Sequence, residues 1–181
     1  MTENKCIIDI ETGGFSIDKH MICEIGLVII DCNNEIIQEY SSLIMPYLKE
    51  DKFEFCEISE IAQEIHHITL YECDLNGQAP EVVVDEIDII LHNFDVKTFI
   101  GHNIKSFDAP RLNKFFNRFG IFGKYKFDNC IDTMTEAKNQ LDLKSYSLAS
   151  LCSYFGIVNE TEHRALSDVK ATFEAFKSLN L

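Results

Sequence analysis

The chain has 181 residues, 46% of them hydrophobic, which is enough for one domain (1–181) with a sizeable core. Its formal net charge of −14 is unlike that of a basic nucleic-acid binder, and no run approaches the roughly 18 apolar residues of a membrane span. Seven scattered cysteines without a C-x-x-C pair leave zinc and dithiol motifs unsupported and point to reduced thiols in a cytoplasmic protein.

The opening "MTENKCIID" lacks a basic region followed by an apolar core, so no secretory leader is expected. Three early segments read as strands, at about 5–11, 22–31 and 35–44, with "DCNNE" as the turn between the last two. "APEVVVDEIDIILHNF" has helical spacing of Val84, Ile87, Leu91 and Phe94. "VKTFIGHN" reads as a short strand running into a loop. In "DAPRLNKFFNRFG" Leu112, Phe115, Phe116 and Phe119 form one stripe, with Pro110 near the start and Gly120 past the end. "SLASLCSYFG" repeats that pattern, and a last helix over about 165–179 should bury Val169, Phe173 and Phe176. The order predicts an α/β layer fold with a mixed sheet whose first three strands are antiparallel.

Charge is unevenly spread. Residues 1–96 hold 4 Lys/Arg against 21 Asp/Glu, whereas residues 97–181 hold 12 against 9. Within 97–126 seven cations face the single acid Asp108. A helix with a solvated basic face is one reading of that bias; a phosphate-contacting surface is the other.

In "CIIDIETGGF" Asp9 and Glu11 interrupt an apolar strand and, at i and i+2, project from the same face. Two close carboxylates need a cation between them or a shared proton, and Mg2+ or Mn2+ suits oxygen ligands. "GHNIKSFDAPRL" places Asp108 at a helix start, where it could equally be an ordinary cap. In "HRALSDVKATFEAF" His163 and Asp168 are five residues apart, about 140° around a helix, so His163 belongs on the preceding loop and Asp168 in the first turns.

At these residues the chain resembles the DEDDh class of DnaQ-like 3′–5′ exonucleases, of ribonuclease H-like fold. "DIETGG", "GHNIKSFD" and "HRALSD" resemble its three motifs in order; "EIGLVIID", "AQEIHHIT" and "CIDTM" resemble the segments around them. One departure is His67, where the family commonly has glycine, with a consequence expected for the substrate-facing loop. The resemblance implies a single exonuclease domain, DNA polymerase III epsilon-like, in which Asp9, Glu11, Asp108 and Asp168 hold two divalent ions, Mg2+ or Mn2+, about 3.5–4 Å apart. It implies that Asp9 bridges both ions, with Glu11 and Asp168 on one and Asp108 on the other. His163 is the implied general base.

Substrate contacts are expected from Thr12, Gly13, Gly14 and Phe15, the glycines leaving room for a terminal nucleotide. Phe15 reads equally as a core aromatic or as a wedge against the last base, with Ile65 or His66 opposite. His102 reads as ordering its loop beside the substrate, and Asn103 as bonding the first motif or the substrate backbone. The expected substrate is the 3′ end of a single strand, DNA first, with short RNA or tRNA ends in the manner of oligoribonuclease or RNase T as the alternative. A non-catalytic binding module is disfavoured by the intact acids and histidine. Partners implied are a second copy of the chain and a polymerase or repair protein, although no long tail follows Leu181 for docking a polymerase.

Overall fold

A computed structural model describes residues 3–50, 53–127 and 130–181. Its sheet has the order β3-β2-β1-β4-β5. Strands β1 (Lys5–Thr12), β2 (Ile22–Ile30) and β3 (Ile36–Leu43) are antiparallel neighbours. Strands β4 (Thr98–Gly101) and β5 (Cys130–Asp132) run parallel to β1. β2 is buried along its whole length, which explains its nearly unbroken apolar run, whereas edge strand β3 alternates.

Among the described residues seven helices complete the fold: α1 (Glu60–His66), α2 (Leu70–Asn76), α3 (Pro80–Asn93), α4 (Asp108–Phe119), α5 (Thr133–Gln140), α6 (Leu148–Phe155) and α7 (Ala165–Ser178). Alternation along β1 decides what each face carries. Cys6, Ile8 and Ile10 join the stripes of α3 and α4, including Val84, Ile87, Leu112 and Phe116. Ile7 faces the other way, with Val28, Ile30 and Ile100, against Val169, Phe173 and Phe176 of α7. The phenylalanines of α4 and α7 are therefore core residues. Among the described residues no helix is long and apolar enough to cross a membrane.

Two details of the sheet position the site. β4 pairs with only Lys5–Ile7 of β1, so the upper half of β1 has no strand on that side. Gly26 of β2 lies opposite Asp9, and a side chain there would come within 2.5 Å of the Ala165–Leu166 backbone. Its absence lets the start of α7 rest directly on the sheet beside Asp9.

Helices α1, α2 and α5, and strand β5, have no counterpart in the hydrophobic pattern. In α1 the burial falls on Ala62 and His66, while Ile61 and Ile65 are exposed, so periodicity gives no core-facing stripe to read.

Candidate active site

The carboxylates expected to act together reach one end of the sheet from three directions. Asp9 and Glu11 come from β1, Asp108 opens α4, and Asp168 lies in the first turn of α7. The Ile10 N–H, at the level where β4 has already ended, donates to the Asp108 carboxylate. His163 precedes α7 in a left-handed conformation, φ 61°, with its side chain exposed. Ligand atoms of Glu11, His163 and Asp168 lie within 4.8 Å of one another; Asp9 and Asp108 are not part of that group.

These acids lack a full complement of protein cations, and their proton affinities show it. Burial, then the charges of Asp108, Glu11, Asp168 and Glu24, pushes the Asp9 carboxyl well above its ordinary range. Burial and the charges of Asp168, Glu24 and Asp108 hold Glu11 at about 8, against the pull of Arg164. Burial raises Asp108 to about 7 although its own N–H, Arg111 and the Ile10 N–H favour the anion. Asp168 is raised by burial, with Asn159 and His163 working the other way. Four such groups together, all with oxygen donors and one imidazole beside them, fit divalent cations of the Mg2+ or Mn2+ type.

A surrounding set of bonds holds the acids, and sequence reasoning missed most of it. Glu24, buried in β2, receives Nε and Nη2 of Arg164 at 3.0 and 2.8 Å and the Ala165 N–H at 3.0 Å. It thereby fixes the start of α7 and the arm carrying His163. Asp132 accepts the N–H groups of Asn103, Lys105, Met134 and Thr135, tying the loop before Asp108 to the start of α5. Arg111, buried, donates to the carbonyls of Phe107 (2.7 Å) and Phe15 (2.6 Å) and stacks 3.7 Å over the Phe107 ring. A signal was present for Glu24: an acid in the middle of a continuous apolar strand requires a partner, as Asp9 and Glu11 do.

Beside the acids runs a groove of about 650 Å³, lined among others by Glu11, Thr12, Phe15, Ile61, Ile65 and Phe107. Phe15 is 85% exposed and meets Phe107 edge-to-face at 6.3 Å, so it is not a core aromatic. Ile65 also presents its side chain, whereas the His66 ring is buried. His66 Nδ1 accepts the Ile68 N–H, which leaves Nε2 to donate to the Thr12 carbonyl.

The glycines of "TGGF" answer to the chain itself. A side chain at Gly13 would come within 2.1 Å of the Glu57 carbonyl, and one at Gly14 within 2.6 Å of the His20 ring. The packing of the chain alone requires both glycines, and Gly14 also lines the groove. Both His102 nitrogens are engaged, with Thr133 Oγ1 and the Tyr146 carbonyl, and Asn103 Oδ1 accepts the Ser106 hydroxyl within its own turn. His67 is the C-cap of α1 at φ 59°, a left-handed position where glycine is the unstrained residue.

The basic segment 97–126 is largely committed to intrachain partners. Lys97 pairs with Asp95, Lys114 with Asp18 and Glu50, and Lys124 with Asp88; Arg118 donates to the Leu48 carbonyl. The alternative of a phosphate-contacting surface is thereby reduced, with Lys105 and Lys126 exposed.

Known proteins resemble this chain. A family model described as Exonuclease matches residues 6–176. The 3′-5′ exonuclease DinG of Staphylococcus saprophyticus is 31% identical over 97% of this chain, and the DNA polymerase III PolC-type of Thermotoga petrophila is 32% identical over 94%. The chain spans only 19% and 11% of those relatives. Among solved structures, E. coli Exonuclease I in complex with a dT13 oligonucleotide superposes with a TM-score of 0.81 at 19% identity, over 98% of this chain and 41% of that one. That likeness establishes the same mixed-sheet fold.

Proposed function

The chain belongs to the exonuclease family of DnaQ-like, ribonuclease H-like proteins, and from that premise we propose that it removes nucleoside 5′-monophosphates one at a time from the 3′ end of a single DNA strand. One observation carries the reading: Asp9, Glu11, Asp108, Asp168 and His163, from three distant segments, converge beside a groove edged by exposed Phe15 and Ile65.

Asp9, Glu11, Asp108 and Asp168 would hold two divalent ions, Mg2+ or Mn2+. When bound, these supply charge neutralisation at the phosphoryl and leaving oxygens. His163, exposed beside Glu11 and Asp168, takes the proton of the water that attacks the terminal phosphodiester. The bond from phosphorus to the 3′-oxygen of the penultimate nucleotide breaks, leaving a shortened strand with a free 3′-hydroxyl. Phe15 and Ile65 flank the terminal base, a sequence-tolerant contact. The backbone at Thr12 is fixed by His66 and lies at the groove floor.

The DinG and PolC-type relatives carry the similar segment as a small part of longer proteins. Association with a polymerase or repair protein, or with a second copy of the chain, is proposed on that likeness and on the family resemblance.

The test is incubation of 3′- and 5′-labelled single-stranded DNA and RNA with Mg2+, Mn2+ or EDTA. A ladder shortening only from the 3′ end, lost in EDTA and faster on DNA, supports the proposal. Faster RNA shortening transfers it to an exoribonuclease, and 5′ shortening refutes the polarity.

A further inference from the structure

Asp168 is held by a chain of hydrogen bonds whose directions are fixed. The Thr161 N–H can only donate, and it donates to Ser167 Oγ at 3.2 Å. The Asp168 carboxylate only accepts, so the Asn159 NH2 faces it and Asn159 Oδ1 is left to accept the Ser167 hydroxyl, at 2.6 Å. The two contacts together settle which way the Asn159 amide faces, a choice otherwise twofold. Its NH2 group points at Asp168 Oδ1, 2.5 Å away. On the opposite oxygen, Asp168 Oδ2 accepts the His163 N–H at 3.2 Å.

Two consequences follow from the topology of these bonds. Asn159 and Asp168 are nine residues apart, so one side chain closes the loop that carries His163. Each Asp168 oxygen accepts one bond and keeps a second lone-pair direction for a cation. A carboxylate on the first turn of a helix would otherwise choose among rotamers; here both oxygens are assigned before any ion arrives.

We propose that Asn159 is a positioning residue: through the Thr161–Ser167–Asn159 chain it orients Asp168 and the His163 loop toward Glu11 for divalent-ion binding. The inference rests on the exonuclease reading of the same site. Outer partners of this kind are worth about 10–100-fold in metal affinity or activity when removed.

The experiment compares the whole chain with Asn159→Leu, which matches the size of asparagine without its polar groups, and with Ser167→Ala, which removes the anchor on Asn159 Oδ1. Mn2+ binding is measured by isothermal titration calorimetry without substrate, turnover as a function of Mn2+, and thermal unfolding in EDTA. Asn159→Leu is expected to weaken Mn2+ binding about 10–100-fold and to raise the Mn2+ needed for half-maximal turnover in step. Ser167→Ala should weaken it less, by about threefold.

A merely structural role would lower the EDTA melting temperature and leave the affinity of the folded protein unchanged. Wild-type affinity in Asn159→Leu overturns the proposal. Should that variant fail to melt cooperatively, wild-type affinity in Ser167→Ala overturns it instead. A wild-type chain that neither binds Mn2+ nor releases mononucleotides refutes the exonuclease reading itself, and the proposal with it.

Discussion

Glu24 of β2 stands directly opposite Glu11 of β1, and the two carboxylates have opposite fates. Glu24 is hydrogen-bonded by the Arg164 guanidinium and the Ala165 N–H, whereas Glu11 feels Arg164 only as a distant charge, outweighed by the acids around it. Like charges across a ladder are destabilising, and only one of the pair is relieved within the chain. Removing the relief should be costly. Arg164→Ala strands a buried charge at Glu24, and about 3 kcal/mol of stability should go with it. Chemical denaturation measures that loss; a change below about 1 kcal/mol would show that the pair does not hold the start of α7.

Glu11→Gln should act in the opposite sense. It removes an uncompensated anion, so the metal-free protein is expected to gain stability while nuclease activity disappears. Melting in EDTA at about pH 8, beside a mononucleotide-release assay, reads both effects. A variant less stable than wild type in EDTA contradicts the electrostatic account.

Protonation gives the same idea a pH signature. Glu11 at about 8 and Asp108 at about 7 bind protons more tightly in the folded chain than in the unfolded one. Their stabilising contribution is complete below the ordinary carboxylate range and is lost as pH rises through those values. Buried His66 and His102, lowered by desolvation, act oppositely and lose stability as pH falls. Between about pH 6.5 and 8.5 the metal-free protein should therefore melt at progressively lower temperature, and added Mg2+ should restore most at the alkaline end. A flat EDTA profile across that window would refute it.

Chemistry at the acids is tested by substitution. Asp9→Ala and Asp168→Ala should each abolish metal-dependent mononucleotide release, and His163→Ala should slow turnover about 100- to 10,000-fold. Release persisting in both aspartate variants would remove the two-ion assignment.

Phe15 offers a separation of binding from folding. Because the side chain is exposed, Phe15→Ala should leave the melting temperature nearly unchanged. Lost stacking should weaken single-strand binding by about 1–3 kcal/mol, read by fluorescence titration with Ca2+ in place of Mg2+. Equal affinity would place the terminal base elsewhere.

His67 tests the backbone. Its left-handed φ costs a non-glycine residue about 1–2 kcal/mol, partly offset by the entropy glycine would lose. His67→Gly is expected to raise the melting temperature by roughly 2–3 °C. A fall would mean that the imidazole contributes more than the strain.

What could be read in advance depended on whether a residue's purpose was local. The long strands and helices α3, α4, α6 and α7 follow from apolar spacing and from Gly120 and Gly156, because each buries a stripe. The short α1 and α5 are fixed instead by the caps of Ser59 and Asp132, one residue each, which periodicity does not report. The acids and His163 were legible through the order of their motifs. Glu24, Asp132 and Arg111 were not, because their value lies in partners up to 141 residues away, and Asn159 was not because its bonds to Ser167 and Asp168 depend on how the loop before α7 folds back. The close packing of Gly13 was not legible either, since the backbone it approaches belongs to a loop 44 residues later.

The joining of α7 to β1 also bears on vectorial synthesis. A ribosome delivers Asp9 and Glu11 long before Asp168, and until α7 emerges the face bearing Ile7, Val28, Ile30 and Ile100 has no cover. Completion of the sheet's second face and completion of the acidic cluster thus both await the same helix. A nascent chain stalled ahead of Ala165 would expose an apolar sheet face and lack Asp168, both for want of the same helix.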